Sequence, residues 1–490
     1  MGILDQVEPK RVFHFFEEIC QIPHGSGHTD QISAYLAAFA AERGLEHIRD
    51  RYNNIIIKKK ASPTYESSRP VILQGHMDMV CEKAPDCRKD MEKEGLDLVL
   101  EGDTVYAKGT TLGADDGIAV AICLAILDDD TIPHPPLEVV LTVDEETGML
   151  GAIGLDASPL KGRAMINLDS EDEGVFTVGC AGGADVLCQL PVVRKEAAGT
   201  ALAIKVGGLV GGHSGAEINK GRANANTLLA RILLHLAQKA DWQLVSVAGG
   251  SKTNAIPREA EAIILTAEPD HVKAEAAAFE KLLRREFRVT DPELNAAVEE
   301  TETTLLPLTE ASRDAVLCFL TCLPNGVQAM SATMAGLVQT SLNMGIVRTT
   351  EEQISAQFLV RSSVDSQKRM VMERMACLTK QLGGSVAVSG DYPGWEYSPV
   401  SPLRDLFVAV YKEQYGRDPK VEAIHAGVEC GMFASKLPGL DCISLGPTLT
   451  DIHTYRERLH IASIQRTWEL LLEVLRRMHW KQEMFSPKKK

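Results

Sequence analysis

Four short apolar runs, rich in β-branched residues and bounded by polar ones, constrain the fold of this chain more than any other feature. Runs of this length and composition are typical of strands that are buried on both faces of a sheet. An Ala- and Ile-rich segment at 117–127 separates the second run from the third and predicts a helix. Because strands that alternate with helices indicate a layered sheet, the sequence predicts an α/β fold. The four runs are residues 54–57, 70–74, 137–143 and 165–168.

The pattern of apolar and polar residues changes in the middle of the chain. Residues 184–390 combine strand-like runs with long helical stretches, and a polar, Pro-containing segment follows them. The α/β pattern then returns and continues to a closing helical segment. We therefore predict one discontinuous domain made of residues 1–183 and 391–490, with a second domain, 184–390, inserted into it.

The charge balance limits the partners of the protein. Asp and Glu outnumber Lys and Arg by 67 to 51, which gives a formal net charge of −16. Nucleic acids and anionic membranes are polyanions, so this charge argues against both as general partners. The longest apolar run, 118–127, is about half of what a membrane span needs, and the chain does not begin like a signal peptide. Eleven irregularly spaced cysteines are typical of reduced thiols, so we expect a cytoplasmic protein.

A histidine and an aspartate directly follow the second apolar run. His76 and Asp78 are two residues apart, so in an extended strand they point to the same face of the sheet. Imidazole is a good zinc ligand, and a carboxylate behind it can fix its tautomer and raise its basicity. The alternative is an ordinary structural histidine, because His76 is one of thirteen in the chain.

Two adjacent acids, Asp115 and Asp116, follow a Gly-containing loop and precede the predicted helix. One aspartate at this position is explained by capping, since its carboxylate accepts backbone N–H bonds and suits the helix dipole. Two acids are more than a cap requires. Metal binding is therefore an alternative to capping for these two residues.

Acidic residues also follow the third and fourth runs. Asp144, Glu145 and Glu146 come directly after the third, and Asp169 comes directly after the fourth. Consecutive acids at the end of a buried strand are costly unless a metal, solvent or a catalytic role compensates them. A solvated loop is the alternative for the triplet of acids.

These polar residues are more informative as a set than singly, because ligands of open α/β sheets bind at the carboxyl ends of the strands. Together with two loop residues, they supply the donors for a pair of zinc-like ions about 3.5–4 Å apart. Donors without thiolate favour a catalytic site over a structural one. Glu145 is adjacent to a ligand but is not needed as one, so it is the candidate general base. The five candidate ligands are His76, Asp115, Glu146, Asp169 and His453.

Four motifs resemble, in the same order, those of the M20 metallopeptidases, most closely the bacterial aminoacyl-histidine dipeptidase branch. A glycine-rich stretch of the middle region, 211–226, is similar to the lid motif of that branch. The resemblance runs from residue 74 to residue 460 and implies a zinc-peptidase catalytic domain, an α/β/α sandwich, with an inserted α+β lid domain. The four motifs are Gly75-His76-Met77-Asp78, Gly113-Ala114-Asp115-Asp116-Gly117, Asp144-Glu145-Glu146-Thr147-Gly148 and Ile166-Asn167-Leu168-Asp169-Ser170-Glu171.

The resemblance implies a specific distribution of the ligands. One ion would be held by His76 and Asp169, and the other by Glu146 and His453. Asp115 would bridge the two ions. Zn²⁺ is the expected metal, with Co²⁺ and Mn²⁺ as alternatives, because carboxylate and imidazole sites accept all three.

The resemblance also implies roles for side chains that bind no metal. Asp78 would orient His76. Glu145 would take a proton from the attacking water and pass it to the leaving amine. In the lid domain, His213 would stabilise the tetrahedral oxyanion, as a hydrogen-bond donor does in other acyl-transfer sites.

Three further residues would hold the substrate if the resemblance is carried through. Asn254 and Arg361 would bind it, and the Arg361 guanidinium suits a two-pronged grip on a C-terminal carboxylate. The backbone around Gly427 would line the same pocket.

The chain departs from the family in two places. Thr-Tyr-Arg-Glu-Arg at 454–458 replaces the usual Ser-Pro-Asp-Glu-Arg, and Asp116 stands where this branch of the family often has Asn. The resemblance further implies a cis peptide bond before Asp116.

The function implied is that of a di-zinc dipeptidase that hydrolyses unblocked dipeptides, with Xaa-His among its substrates. A related aminoacylase or tripeptidase is one alternative, and a non-catalytic metal- or peptide-binding protein is another. The presence of Glu145 argues against the binding protein, which has no use for a base. A homodimer is an alternative to a monomer.

Two minor alternatives concern single residues: His425 as a ligand in place of His453, and Cys430 as a nucleophile. Nucleotide binding is not favoured, because the glycine-rich stretch lacks the Gly-Lys-Ser/Thr of a phosphate loop.

Overall fold

The structure is a computed structural model that describes residues 2–479. The chain divides into two compact units. Unit 1 consists of residues 1–179, 397–423 and 428–490, and unit 2 of residues 180–396 and 424–427. The short segment Ile424–Gly427 lies in unit 2, where the backbone N–H of Ala181 donates to the carbonyls of Ile424 and Ala426 (3.2 and 3.0 Å).

The described residues form eleven α-helices, numbered in chain order. The helices of unit 1 are α1 (Lys10–Cys20), α2 (Asp30–Glu42), α3 (Ala114–Asp128), α4 (Leu150–Gly154), α9 (Pro402–Tyr415), α10 (Cys430–Lys436) and α11 (Ile461–Arg477). The helices of unit 2 are α5 (Ala225–Ala237), α6 (Pro269–Glu286), α7 (Glu310–Cys322) and α8 (Asp365–Gln381).

The strands are numbered in the same way. Those of unit 1 are β1 (Glu46–Arg49), β2 (Ile55–Lys59), β3 (Val71–His76), β4 (Leu98–Glu101), β5 (Thr104–Ala107), β6 (Leu137–Thr142), β7 (Ala164–Asn167), β8 (Val175–Cys180), β20 (Lys420–Ile424), β21 (Asp441–Ser444), β22 (Leu449–Thr450) and β23 (Arg458–His460); β8 and β20 end one residue beyond its bounds. Those of unit 2 are β9 (Gly182–Pro191), β10 (Thr200–Gly207), β11 (Gly212–His213), β12 (Gln243–Gly249), β13 (Ala255–Ile256), β14 (Ala260–Thr266), β15 (Asn295–Glu300), β16 (Gly326–Met330), β17 (Val338–Thr349), β18 (Gln353–Ser362) and β19 (Ser385–Tyr392).

The main sheet of unit 1 has eight strands in the order β1-β2-β6-β3-β7-β21-β8-β20. Its centre is parallel: β3 pairs in parallel with β6 on one side and β7 on the other, and β7 pairs in parallel with β21. Every residue of β3, β6 and β7 is buried, which explains why these strands read as continuous apolar runs. The α/β class predicted from the sequence is confirmed.

Helix α3 packs against β3 and α1. From Ile118 to Leu127 it consists of Ala, Ile, Leu and Val with one Cys, and nearly all of its residues are buried, so it is a core helix without a solvent face. Gly75 permits the close approach to β3, because a Cβ at this position would lie 2.8 Å from the Cβ of Ala119. The peptide bond between Asp115 and Asp116, at the start of the helix, is cis, as predicted.

A separate four-stranded sheet in unit 1, with the order β22-β23-β5-β4, was not predicted from the sequence. Leu459 of β23 pairs with Val105 of β5, and Leu449 of β22 pairs with Leu459. The loop that carries His453 connects β22 to β23, so this sheet fixes both ends of the loop.

Unit 2 contains a nine-stranded antiparallel sheet. Eight strands follow the order β15-β10-β14-β12-β17-β18-β9-β19, and β16 pairs with β17. Apolar side chains from this sheet and from α5, α6, α7 and α8 form one buried core. Two candidate site residues lie on strands of unit 2. Arg361 belongs to β18 of this sheet, and His213 belongs to β11, which pairs with β13 in a separate two-stranded sheet. No helix among residues 2–479 is both long enough and apolar enough to span a membrane.

Candidate metal centre

The register of the parallel strands places the candidate ligands of unit 1 at one edge of the main sheet. His76, the last residue of β3, pairs with Thr142, the last residue of β6. Gln74 pairs with Asn167, the last residue of β7. Because the three strands run in the same direction, the acidic residues that follow β6 and β7 begin beside His76.

The carboxylate of Asp115 faces both candidate histidines. Its Oδ1 lies 3.2 Å from Nε2 of His76, and its Oδ2 lies 3.0 Å from Nε2 of His453. Nε2 of His76 is also 3.6 Å from Oδ1 of Asp169, and Nε2 of His453 is 2.9 Å from Oε1 of Glu146. The five predicted ligands are therefore brought together, with one oxygen of Asp115 directed to each half of the set.

The composition of this cluster fits a pair of divalent cations. Ligand atoms of two overlapping groups lie within 4.8 Å of one another: His76 with Asp115 and Glu146, and His76 with Asp116 and Asp169. All are imidazole nitrogens or carboxylate oxygens, which are donors that Zn²⁺, Co²⁺ and Mn²⁺ accept. Several carboxylates that face each other in a buried site are costly unless cations balance them.

The histidines sit in a strongly negative environment. Contacts with Asp115 and Glu146 raise the pKa of His453 to about 10, although partial burial opposes them. Burial alone would lower the pKa of His76, but the carboxylates around it, led by Asp169 and Asp115, hold that pKa well above its usual value. The same contacts hold the pKa of Asp115 below its usual value despite its burial. These shifts show that the site favours positive charge.

The orientation of His76 is fixed from behind by Asp78. Nδ1 of His76 lies 2.9 Å from the main-chain oxygen of Asp78 and 3.4 Å from its carboxylate. A proton on Nδ1 that is donated to these oxygens leaves Nε2 as the ligand atom. The carboxylate of Asp78 also accepts from the hydroxyl of Ser26 (2.8 Å) and from the backbone N–H of Glu145 (3.1 Å). Sequence reasoning missed Ser26, whose only signal was the loop Pro23-His24-Gly25-Ser26-Gly27.

Glu145 is a largely buried carboxyl group next to the candidate ligand Glu146. Burial raises the pKa of Glu145 to about 9, and the nearby carboxylates of Asp169, Glu429 and Glu146 act in the same direction, while His76 opposes them. Glu145 belongs to neither of the two ligand groups formed by the described residues. A carboxyl group with a raised proton affinity, adjacent to a cation site, is suited to accept a proton and release it again.

Asp116 has a different contact from Asp115. Its Oδ2 accepts the backbone N–H of His76 at 3.1 Å. Burial, together with the charges of Asp169 and Asp115, raises the pKa of Asp116 well above its usual value. A protonated Asp116 has the charge and the acceptor oxygen of an asparagine. The bond to His76 is therefore one that the more common Asn could also accept.

Residues 72–477 match the model of peptidase family M20/M25/M40. The chain is 39% identical over 480 residues to the cytosol non-specific dipeptidase of Escherichia coli. The aligned region covers 97% of this chain and 99% of that protein. This chain belongs to peptidase family M20/M25/M40. The family predicted from the four motifs is thereby confirmed.

Solved structures agree with the membership of this peptidase in the family. The crystal structure of aminoacylhistidine dipeptidase from Vibrio alginolyticus superimposes with a TM-score of 0.92 at 38% identity, over 97% of this chain and 98% of that one. The aminopeptidase PepT from Bacillus cereus, at 17% identity and a TM-score of 0.56 over 97% of this chain and all (100%) of that one, shares the fold.

A fully buried polar layer joins the three strands of the peptidase that end in the metal centre. Nε2 of Gln74, on β3, donates to Oε2 of Glu429 at 2.6 Å, and the hydroxyl of Thr142, on β6, donates to the same oxygen at 2.6 Å. Nδ2 of Asn167, on β7, donates to Oε1 of Gln74 at 2.6 Å. All four side chains are completely inaccessible to solvent. Sequence reasoning missed this layer, because Glu429 is 355 residues from Gln74.

The predicted site residues of unit 2 have contacts of their own. The backbone N–H groups of Gly215 and Ala216 point to Nδ1 of His213 (3.3 and 3.2 Å). In the neutral imidazole, Nδ1 is then the acceptor and Nε2 carries the hydrogen. Burial and the charge of Arg361 lower the pKa of His213, which favours this neutral form. His213 therefore presents an N–H donor at Nε2.

Arg361 is a buried cation, only 7% exposed. Its guanidinium donates to the hydroxyl of Tyr392 at 3.3 Å, and its Nε is buried and has no hydrogen-bond partner among the described residues. Arg361, Tyr392 and Asn254 line a cavity of about 680 Å³ in unit 2. Gly427 packs on the ring of Tyr392, where a Cβ would come within 2.8 Å of the ring.

Two minor alternatives from the sequence receive no support. Nε2 of His425 is bonded to the hydroxyl of Ser341 at 2.7 Å within unit 2, whereas Nε2 of His453 faces the carboxylates of Asp115 and Glu146. Burial raises the pKa of the Cys430 thiol well above its usual value, whereas a nucleophilic cysteine requires a lowered one.

The buried polar layer predicts a pH dependence of stability. Burial raises the pKa of Glu429 to about 8 from an ordinary 4.5; Thr142 and His76 oppose this shift, and Asp169 and Asp78 add to it. A carboxyl with a raised pKa binds its proton more tightly in the folded state. Its contribution to the free energy of unfolding is complete below pH 4.5 and is lost as the pH rises through 8.

Glu429→Gln keeps the acceptor oxygen but cannot titrate. We expect the free energy of unfolding of the wild type to fall, relative to that of this variant, as the pH rises from 4.5 to 8, by at most about 1.4 kcal/mol per pH unit. The measurement is urea unfolding at a series of pH values with a chelator present, so that no cation alters the charge near Glu429. Parallel pH profiles for the two proteins would contradict the expectation.

Proposed function

We propose that this peptidase is a di-metal dipeptidase that hydrolyses unblocked dipeptides, with Xaa-His among its substrates. The observation that carries the proposal is the position of Asp115, whose two oxygens face two different histidines at 3.2 and 3.0 Å. Each imidazole has a further carboxylate beside it, so the cluster contains donors for two ions, and Asp115 can offer one oxygen to each ion. The relatives named cytosol non-specific dipeptidase and aminoacylhistidine dipeptidase support the substrate class.

The residues that would hold the two ions follow from the pairs of contacts. His76 and Asp169 would serve one ion, Glu146 and His453 the other, and Asp115 both. Bound divalent ions would supply Lewis-acid polarisation of the peptide carbonyl and a water of lowered pKa. Zn²⁺ is the proposed metal because of the imidazole and carboxylate donors, and a cytoplasmic location is proposed from the name of the Escherichia coli relative.

Glu145 would perform the proton transfers of the reaction. Its carboxylate would take a proton from the attacking water and deliver it to the nitrogen of the leaving amino acid. Two observations support this role: burial raises its proton affinity, and the hydrogen bond from its backbone N–H to Asp78 ties it to the residue that orients His76. The base and the ligand are thus positioned by the same aspartate.

His213 would donate a hydrogen bond to the oxygen that becomes negative in the tetrahedral transition state. The bonds from Gly215 and Ala216 to Nδ1 support this role, because they leave Nε2–H as the free donor. Donors that are already oriented stabilise a developing oxyanion without reorganisation, and the loss of one typically costs about 100- to 1,000-fold in kcat.

Arg361 would bind the C-terminal carboxylate of the dipeptide, with Asn254 and the backbone at Gly427 forming other parts of the substrate pocket. A buried guanidinium with no carboxylate bonded to it among the described residues is costly unless a ligand supplies the negative charge. A guanidinium binds a carboxylate through two parallel N–H bonds, which fixes the orientation of the substrate as well as its charge.

The proposed function is tested by hydrolysis of Ala-His with and without a chelator. We expect turnover to disappear on complete removal of metal and to return when Zn²⁺ is restored. Glu145→Gln should retain bound metal and lose turnover, because the amide cannot accept the proton. Hydrolysis that continues unchanged without metal would contradict the mechanism, and binding of the peptide without turnover by the wild type would indicate a binding protein.

A panel of blocked and longer peptides separates the dipeptidase from its relatives. We expect free Ala-His to be cleaved much faster than N-acetylated Ala-His or a tripeptide. Preference for the acetylated compound would indicate an aminoacylase instead, and preference for the tripeptide a tripeptidase.

Replacement of Arg361 tests recognition of the substrate carboxylate. Wild type should prefer Ala-His with a free carboxylate over the same dipeptide with a C-terminal amide, and Arg361→Met should lose most of this preference, about 10- to 100-fold in kcat/KM, because charge-assisted hydrogen bonds are lost. Lys252→Met is the control, since Lys252 is a second cation at the same cavity. If Arg361→Met keeps the wild-type preference, Arg361 does not bind the carboxylate.

A further inference from the structure

The carboxylate of Glu457 accepts hydrogen bonds from four consecutive backbone N–H groups. Oε2 accepts from Leu112 and Gly113 at 2.7 and 3.0 Å, and Oε1 accepts from Ala114 and Asp115 at 2.8 and 3.2 Å. Glu457 is only 2% exposed. Since each oxygen receives two N–H groups and neither donates, the pattern is that of an ionised carboxylate.

The segment held by Glu457 ends at the central ligand of the metal centre. Residues 112–115 lead into α3, and Gly113 adopts the left-handed conformation with φ +67°, which a residue with a side chain rarely adopts. Backbone groups in such a turn need partners, because water does not reach a buried segment. Glu457 supplies all four partners with one side chain, so the position of Asp115 depends on that of Glu457.

The same glutamate follows a second ligand in the sequence. His453 lies four residues before Glu457, and the backbone N–H of Glu457 donates to the carbonyl of Thr454 at 3.1 Å, which closes the turn between them. His453 itself has a left-handed backbone with φ +58°, uncommon for a histidine and found where the surrounding structure holds it. Glu457 therefore connects the loop of His453 to the loop of Asp115.

We propose that Glu457 is a positioning residue that sets Asp115 and His453 at the separation needed to bind a metal ion between them. The inference rests on the proposed function, because it assumes that both residues are ligands. Partners of metal ligands commonly tune affinity in this way, and their loss costs roughly 10- to 100-fold in metal affinity. Glu457 acts on Asp115 through hydrogen bonds to the backbone of its loop, and on His453 through the turn that precedes Glu457.

A purely structural role is the alternative, and Glu138 provides a matched control. Glu138 is also buried, 4% exposed, and accepts backbone N–H bonds, from Lys161 and Gly162 at 2.9 Å. It lies near the start of β6, whereas the ligands follow the ends of the strands. Replacement of Glu138 removes the same kind of interaction from the same unit without contact to a ligand loop.

The experiment compares wild type, Glu457→Gln and Glu138→Gln as full-length chains. In each glutamine variant an NH₂ group replaces one oxygen and opposes backbone N–H donors, so both variants should lose stability to urea. The readouts are the affinity for Zn²⁺, measured by competition with a chromophoric chelator, and the visible absorption spectrum of the Co²⁺-loaded protein, which reports coordination. We expect Glu457→Gln to bind roughly 10- to 100-fold more weakly with an altered spectrum, and Glu138→Gln to match wild type in both.

The outcomes separate the inference from the proposed function. If wild type binds two ions and Glu457→Gln binds them equally well with an unchanged spectrum, or if Glu138→Gln is weakened as much, the positioning role is overturned. If wild type binds no metal, the proposed function fails and the inference fails with it. Should Glu457→Gln not fold, Glu457→Asp keeps both acceptor oxygens on a shorter side chain; weaker Zn²⁺ binding by a folded Glu457→Asp supports the role, and full affinity overturns it.

Discussion

The parallel pairing of β3 with β6 and β7 is the constraint on which the metal centre depends. It places His76 beside the end of β6 and two residues beyond Gln74, which pairs with the last residue of β7, so the loops after all three strands start at one edge of the sheet. A slip of one residue in this register would turn His76 to the other face, because side chains alternate along a strand. The close approach of α3 at Gly75 then brings Asp115 to the same edge.

The convergence of so many carboxylates has an energetic consequence. Asp115, Asp169, Glu145 and Glu146 approach one another in a largely buried site, and like charges at such distances repel. The proximity of two histidines compensates part of this charge, and divalent cations would compensate the rest. The centre is held on two sides: the buried polar layer connects the strands that end in it, and Glu457 connects the loops of Asp115 and His453. Ligands held in this way are positioned before the metal binds, which is how sites of defined geometry are built.

The sequence predicts a large part of this site because the informative signals are local. An apolar run followed by an acid or a histidine identifies a strand end, and that signal led to His76, Glu146 and Asp169. The order of the motifs then indicated the family, from which the roles of Asp115 and His453 follow. The strands of the parallel core and helix α3 were predicted for the same reason, since each is an apolar segment that can be recognised within a few residues.

The features that sequence reasoning missed all depend on contacts between distant parts of the chain. Glu429 and Glu457 read as ordinary acids. The partners of Glu429 lie 287 and 355 residues away, and those of Glu457 lie 342 to 345 residues away. The four-stranded sheet was missed because its strands are two to four residues long and come from two separate regions. The division of roles between catalytic and lid domains stays a prediction.

The proposed bridging role of Asp115 is tested most directly by the metal content of purified wild type and Asp115→Ala, determined by elemental analysis after dialysis. Asp116→Asn is the control, because its amide keeps the oxygen that accepts the N–H of His76. We expect about two zinc ions per chain in wild type and in Asp116→Asn, and far fewer in Asp115→Ala, since one carboxylate would serve both ions. Full metal content in Asp115→Ala would mean that Asp115 only caps α3, and the assignment of the centre would be wrong.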